Sequence, residues 1–140
     1  MIKKYLHTII LTAIIILAFG LRVYRVTSIP PSLNWDETAI AYNAYSILKT
    51  GKDEWNRFMP LHSESFGEYK LPAQIYASIP AIDIFGLNEF GVRITPVVYG
   101  TLTVLLLYLL SQKLFNNLPA QAGKKISLIA TFLLAVSPWH

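Results

Sequence analysis

Residues 5–26 form an apolar run with basic residues at both ends, and nothing else in the chain constrains its fold so strongly. The continuous part is Ile9 to Leu21, preceded by Lys3 and Lys4 and followed by Arg22 and Arg25. About twenty apolar residues cross the hydrocarbon core of a bilayer. A secretory signal has the same charged start but ends on a small-residue cleavage site. Here the run ends in Phe19-Gly20-Leu21-Arg22-Val23-Tyr24-Arg25, which is a poor one. The segment therefore reads as an uncleaved transmembrane helix. Composition agrees, with 54% hydrophobic and only 14% charged residues, against about a quarter charged in ordinary soluble domains. That excludes a disordered chain. The absence of cysteine excludes disulfides, thiolate zinc sites and a thiol nucleophile. A net charge of +4 is spread along the chain rather than gathered into a stripe, so no nucleic-acid partner is expected.

Two further runs have membrane character. One covers about residues 90–112, interrupted only by Arg93 and Pro96 near its start; the other covers about 126–140. A fourth apolar stretch, 72–85, contains Pro80 and Asp83 and is short for a span, so it reads as a membrane-surface helix. Direction follows from charge. All eight acidic residues lie between Asp36 and Glu89, whereas Lys3, Lys4, Lys113, Lys124 and Lys125 have no acid near them. The positive-inside rule puts the N-terminus and the 111–125 loop in the cytoplasm and residues 27–89 outside. The expectation is an all-α, polytopic membrane protein with three spans (about 5–26, 90–112 and 126–140) and a long external loop. A full span at 72–85 would expel the three later lysines and forfeit that agreement. The last run stops at His140, and the chain reads as the N-terminal part of a longer protein. Trp139 and His140 would close it at the external interface, where aromatic residues gather.

The external loop carries the candidate chemistry. It opens with the stiff Ile29-Pro30-Pro31-Ser32-Leu33. Asn34 then reads as a helix N-cap with Glu37 three residues on, a capping box. A surface helix at about 36–50 follows, with Ile40, Ala44, Ile47 and Leu48 on one face and Gly51 as its stop. Asp36 and Glu37 therefore sit in its first turn. They either cap the helix and complement its dipole or supply a general base with a tuning neighbour. The stretch Gly51 to Arg57 reads as a solvated polar turn. Lys70 stands where a polar loop meets the apolar 72–85 segment, either snorkelling or binding an anionic headgroup. His62, Glu64 and Glu68 have metal-ligand chemistry but a non-diagnostic spacing, so no metal site is assigned and a divalent ion stays open. Arg93, just inside a span, either snorkels or faces a polar partner.

Four segments in order resemble the N-terminal region of the GT-C membrane glycosyltransferases, in the branch of the protein O-mannosyltransferases and lipid A aminoarabinose transferases. They are Trp35-Asp36-Glu37-Thr38-Ala39, Glu68-Tyr69-Lys70-Leu71-Pro72, Gly86-Leu87-Asn88-Glu89-Phe90-Gly91-Val92-Arg93 and Ser137-Pro138-Trp139-His140. The resemblance covers nearly the whole chain. It implies a GT-C-like N-terminal module in a bacterial or archaeal plasma membrane, moving a sugar from a polyprenyl-phosphate donor to a hydroxyl or amine of a lipid, glycan or protein acceptor. It implies Asp36 as catalytic acid or base with Glu37 beside it, Lys70 and Arg93 at the donor phosphate, and Trp35, Tyr69, Glu68 and His62 as substrate-binding candidates. No cofactor is required on that reading. Leu71 stands where the family has the first of two prolines. The 140-residue piece lacks most of the family's lipid groove and is not expected to act alone. Two other classes compete: a non-catalytic polytopic subunit or transporter fragment with a lipid- or partner-binding loop, and an oligosaccharyltransferase-like subunit using the same donors.

Overall fold

The computed structural model describes residues 2–137, leaving the expected interfacial pair Trp139 and His140 outside the described residues. The order of elements is α1 (Ile2–Val23), α2 (Trp35–Thr50), β1 (Ser63–Ser65), β2 (Glu68–Lys70), α3 (Pro72–Phe85), α4 (Glu89–Leu114) and α5 (Ala120–Ala135). The fold is mostly helical, as expected, but it also holds a two-stranded antiparallel hairpin within the stretch expected to be loop. Two helices, α1 from Tyr5 and α4, are long and apolar enough to cross a membrane, with mean hydropathies of 2.2 and 1.8. Only 11% and 22% of their apolar windows are buried inside the protein. A helix in the core of a water-soluble protein would cover that surface. At 1.5 Å per residue α1 and α4 measure about 33 and 39 Å, enough for a hydrocarbon core of about 30 Å. Where the third span is expected the structure has α5, which begins at Ala120 rather than residue 126; with 16 described residues it is not one of the two helices long and apolar enough to cross a membrane.

The chain divides into two compact units. The first combines residues up to Tyr24 with those from Pro96 onward. Its core is Ile14 and Ala18 of α1, Val104 of α4, and Leu128 and Ala135 of α5, with Leu11, Tyr108 and Leu134 packed against them. Arg22, in the last turn of α1, donates to the α5 carbonyls of Ala135 (3.2 Å) and Leu134 (3.4 Å) as well as to Ala18 O (2.9 Å). The C-terminal ends of α1 and α5 are therefore level, and the two helices run parallel. Gly123 lies so close to the Phe115 carbonyl that a Cβ there would come within 2.8 Å of its oxygen.

The second unit is residues 25–95. Its core joins Ala41, Ala44 and Ile47 of α2 to Ile75 and Ile82 of α3 and to Val92 in the opening turns of α4. Two of the three α2 residues are alanines, which lets the backbones approach. Ile40 and Leu48 flank this core half-buried, so the face expected from the apolar spacing is the one used. The capping box forms as its residue types predict: Asn34 Oδ1 accepts from Glu37 N (2.7 Å) and Glu37 Oε2 accepts from Asn34 N (3.0 Å). Gly51 ends α2 in the left-handed region at φ 72°, its N–H donating to Ile47 O (2.8 Å).

The 51–57 turn is largely solvated, as expected, with Lys52, Glu54, Trp55 and Asn56 exposed; Asp53 is the correction, its side chain fully covered. Its carboxylate accepts from Trp55 N (2.9 Å), Arg57 N (2.8 Å) and Arg57 Nε (3.0 Å). Buried Asn43 of α2 donates to Glu54 Oε1 and accepts from Glu54 N, both at 3.1 Å. Ser65 Oγ of β1 also donates to Glu54 Oε1, and Trp55 Nε1 donates to Glu64 O (2.7 Å). These bonds tie the turn to α2 on one side and to the hairpin on the other. The hairpin pairs Ser63 with Lys70, Glu64 with Tyr69 and Ser65 with Glu68. Phe66 (φ 53°) and Gly67 (φ 76°) make its two-residue turn, and positive φ at both positions is the type I′ signature.

Candidate functional site

Two candidate residues far apart in sequence meet through the hairpin. Lys70 ends β2, and Asp36 lies in the first turn of α2. Lys70 Nζ donates to Asp36 Oδ1 across 34 positions, and to Glu68 Oε2 at 2.7 Å. Glu68 and Lys70 are two apart on one strand and so share a face. The Lys70 side chain is only 16% exposed, whereas the carboxylates of Asp36 and Glu68 are 65% and 72% exposed. The bonds from Asp36 and then from Glu68 raise the lysine above its ordinary range, outweighing burial, which would lower it. Its ammonium therefore stays charged throughout the physiological range. One cation with two carboxylates leaves the cluster at −1.

Beside the cluster lies a cleft of about 420 Å³ lined by Asp36, Ile40, Tyr69, Lys70, Leu71, Ala73 and Gln74. It has a charged mouth, one amide and apolar or aromatic walls, the general composition of a small-ligand site. Trp35 and Tyr69, neighbours in sequence of Asp36 and Lys70, are largely exposed. Trp35 packs on Phe66 of the hairpin turn with ring centroids 5.5 Å apart, and Tyr69 meets His62 edge-on at 5.6 Å.

The other two charged candidates form a separate pair. Arg93, 4% exposed, places its guanidinium against Glu37. Nε donates to Glu37 Oε1 (3.0 Å) and Nη2 to Glu37 Oε2 (3.1 Å). Nη1 donates to the carbonyls of Val26 and Pro30, and Nη2 also to Ser32 O, all at 2.9 Å. All five N–H groups of the guanidinium are thus engaged within the protein, and none is left for the phosphate contact expected from sequence. For Glu37, burial would raise the carboxyl. The hydrogen bond from Arg93, that from Asn34 N–H and the charge of Arg93 together outweigh it and hold Glu37 below its ordinary range. Glu37 is thereby the counter-ion of Arg93 and half of the capping box, while Asp36 alone faces Lys70.

Among the described residues no three His, Cys, Asp or Glu side chains group to hold a metal ion, so His62, Glu64 and Glu68 do not form such a set. Sequence reasoning missed Phe66, Gln74, and the link from Asn43 through Glu54 to Ser65. For Phe66 a signal existed. Ser63-Glu64-Ser65 and Glu68-Tyr69-Lys70 are short segments around two residues ending in Gly, a hairpin pattern. No family model, curated protein or solved structure matches the chain.

Proposed function

We propose that the chain is part of a membrane glycosyltransferase that moves a sugar from a polyprenyl-phosphate donor to a hydroxyl or amine acceptor at the external face of a plasma membrane. The observation that carries the reading is the Lys70–Asp36 pair at the mouth of the cleft. It sets a fixed cation beside a carboxylate, in a unit joined at both ends to helices of membrane-spanning character. In this mechanism the acceptor oxygen or nitrogen attacks the anomeric carbon on the face opposite the phosphate. Asp36 takes the acceptor proton. The C–O bond to phosphate breaks with its electron pair going to the phosphate oxygen, where Lys70 stabilises the developing charge. The product is inverted at the anomeric carbon. Arg93 and Glu37 serve as a brace. They bind the 26–32 lead-in to the first turn of α2 and so position Asp36.

In the membrane we assign three spans with the N-terminus cytoplasmic and residues 27–89 external. The parallel course of α1 and α5 supports this assignment. One antiparallel span between them leaves them parallel, whereas a second, at α3, would reverse α5.

The competing non-catalytic module has one observation in its favour, the cluster's net charge of −1, which suits a structural ion pair as well as a site. Two substitutions, made in the full-length protein and assayed in membranes from cells expressing it, separate the readings. Asp36→Asn abolishes sugar transfer while leaving polyprenyl-phosphate binding and membrane insertion intact; Lys70→Met loses the binding itself. Transfer persisting in Asp36→Asn would refute the proposal.

A further inference from the structure

Phe66 sits where its side chain is least expected. The first position of a type I′ turn favours Asn, Asp or Gly, and a non-glycine residue in the left-handed region carries a conformational cost. Here a phenylalanine that is 63% exposed as a residue holds φ 53°, its ring packed on that of Trp35, a residue 75% exposed. The hairpin turn and the first residue of α2 thus hold two large apolar rings largely in solvent beside the Asp36–Lys70–Glu68 cluster. Such a departure from local preference points to a surface that a ligand covers.

The surroundings identify the chemistry. An acyl chain or the bilayer interior would match the rings but would also bury the carboxylates of Asp36 and Glu68 and the ammonium of Lys70, at large desolvation cost. A purely ionic ligand would leave the rings uncovered. A saccharide presents both surfaces: C–H faces that pack on aromatic rings and hydroxyls that donate to carboxylate oxygens. Oδ2 of Asp36 and Oε1 of Glu68 are not the oxygens that Lys70 uses, and both side chains are well exposed. We propose that Trp35 and Phe66 form a saccharide-stacking subsite whose hydroxyl acceptors are Asp36 and Glu68. This deepens the glycosyltransferase reading and rests on it.

Phe66→Asn separates ligand binding from folding, because Asn-Gly is a preferred type I′ pair. The variant keeps or gains hairpin stability while losing the ring. The detergent-solubilised protein, labelled with fluorotryptophan, is titrated with neutral methyl glycopyranosides. The Trp35 resonance, identified by its loss in Trp35→Leu, is followed by fluorine NMR. We expect a saturable shift in the wild type, and in Phe66→Asn an affinity about three- to ten-fold weaker, the size of a lost aromatic contact. Wild-type affinity in Phe66→Asn overturns the subsite. So does quenching of Trp35 by vesicles with brominated acyl chains without any glycoside response, because the rings then insert into the membrane. Polyprenyl-phosphate binding, measured in parallel, tells the two failures apart. If it persists and needs Lys70, only the subsite falls; if it too is absent, the functional reading falls with it.

Discussion

Replacing Arg93 by methionine removes the brace and keeps most of its apolar volume. It strips five hydrogen bonds: two to Glu37, and one each to the carbonyls of Val26, Pro30 and Ser32. Summing five charged bonds at about 1.5–3 kcal/mol each overstates the loss, because the freed groups partly find water. Breaking a buried ion pair by removing one partner costs about 3–5 kcal/mol. Glu37 is 26% exposed, so the lower figure applies, about 3 kcal/mol. The loss is local to residues 25–34, which in this unit the guanidinium fastens to α2. Hydrogen exchange read by mass spectrometry measures it directly. At a factor of ten per 1.4 kcal/mol, amides of that segment exchange about a hundred-fold faster in Arg93→Met. Adding Glu37→Gln removes the stranded charge, so the double variant is less destabilised than the two single losses combined. Acceleration below about three-fold would show that the brace contributes little. The same pair has a pH signature. Glu37 is depressed in the folded state, so its contribution is fully present above the ordinary carboxylate range and is lost as pH falls through the lowered value. Protection of residues 25–34 declines only in acid, and Glu37→Gln removes that decline.

Gly91→Ala would place a Cβ 2.2 Å from the Gly86 carbonyl oxygen. Backbone must move, and thermal unfolding should report a loss of about 1–3 kcal/mol or more. Gly20→Ala, with nothing within 4 Å of its Cβ, should be neutral or stabilising by up to about 1 kcal/mol. The chain has no cysteine, so single introduced thiols report sidedness. Asn117→Cys should label only from the cytoplasm and Lys52→Cys only from outside; the reverse pattern ends the topology argument.

Much of the local structure was legible from residue order. Asn34 and Glu37 predicted the capping box, Gly51 the end of α2, and Pro72 to Phe85 the limits of α3, because caps and helix stops act over a few residues. Apolar run length placed the start of α5 too late, because its opening residues Ala120 to Lys125 are largely polar and basic and so lie outside the apolar run although they are helical. The burial of Asp53 is not legible in the sequence, because a carboxylate in a polar turn looks solvated until its three donors are in place.

Apolar run length settled, without help from tertiary structure, that two helices suit a bilayer, since that depends only on consecutive residues and a fixed rise. What the folded molecule decided was which charge meets which. Asp36 and Glu37 are adjacent and chemically alike, yet one faces Lys70 from the hairpin and the other Arg93 from α4. That division depends on helical rotation between neighbours, on the register of a three-residue strand and on the packing of α2 against α3. Such contacts join residues 34 and 56 positions apart, a separation at which local pattern carries no information.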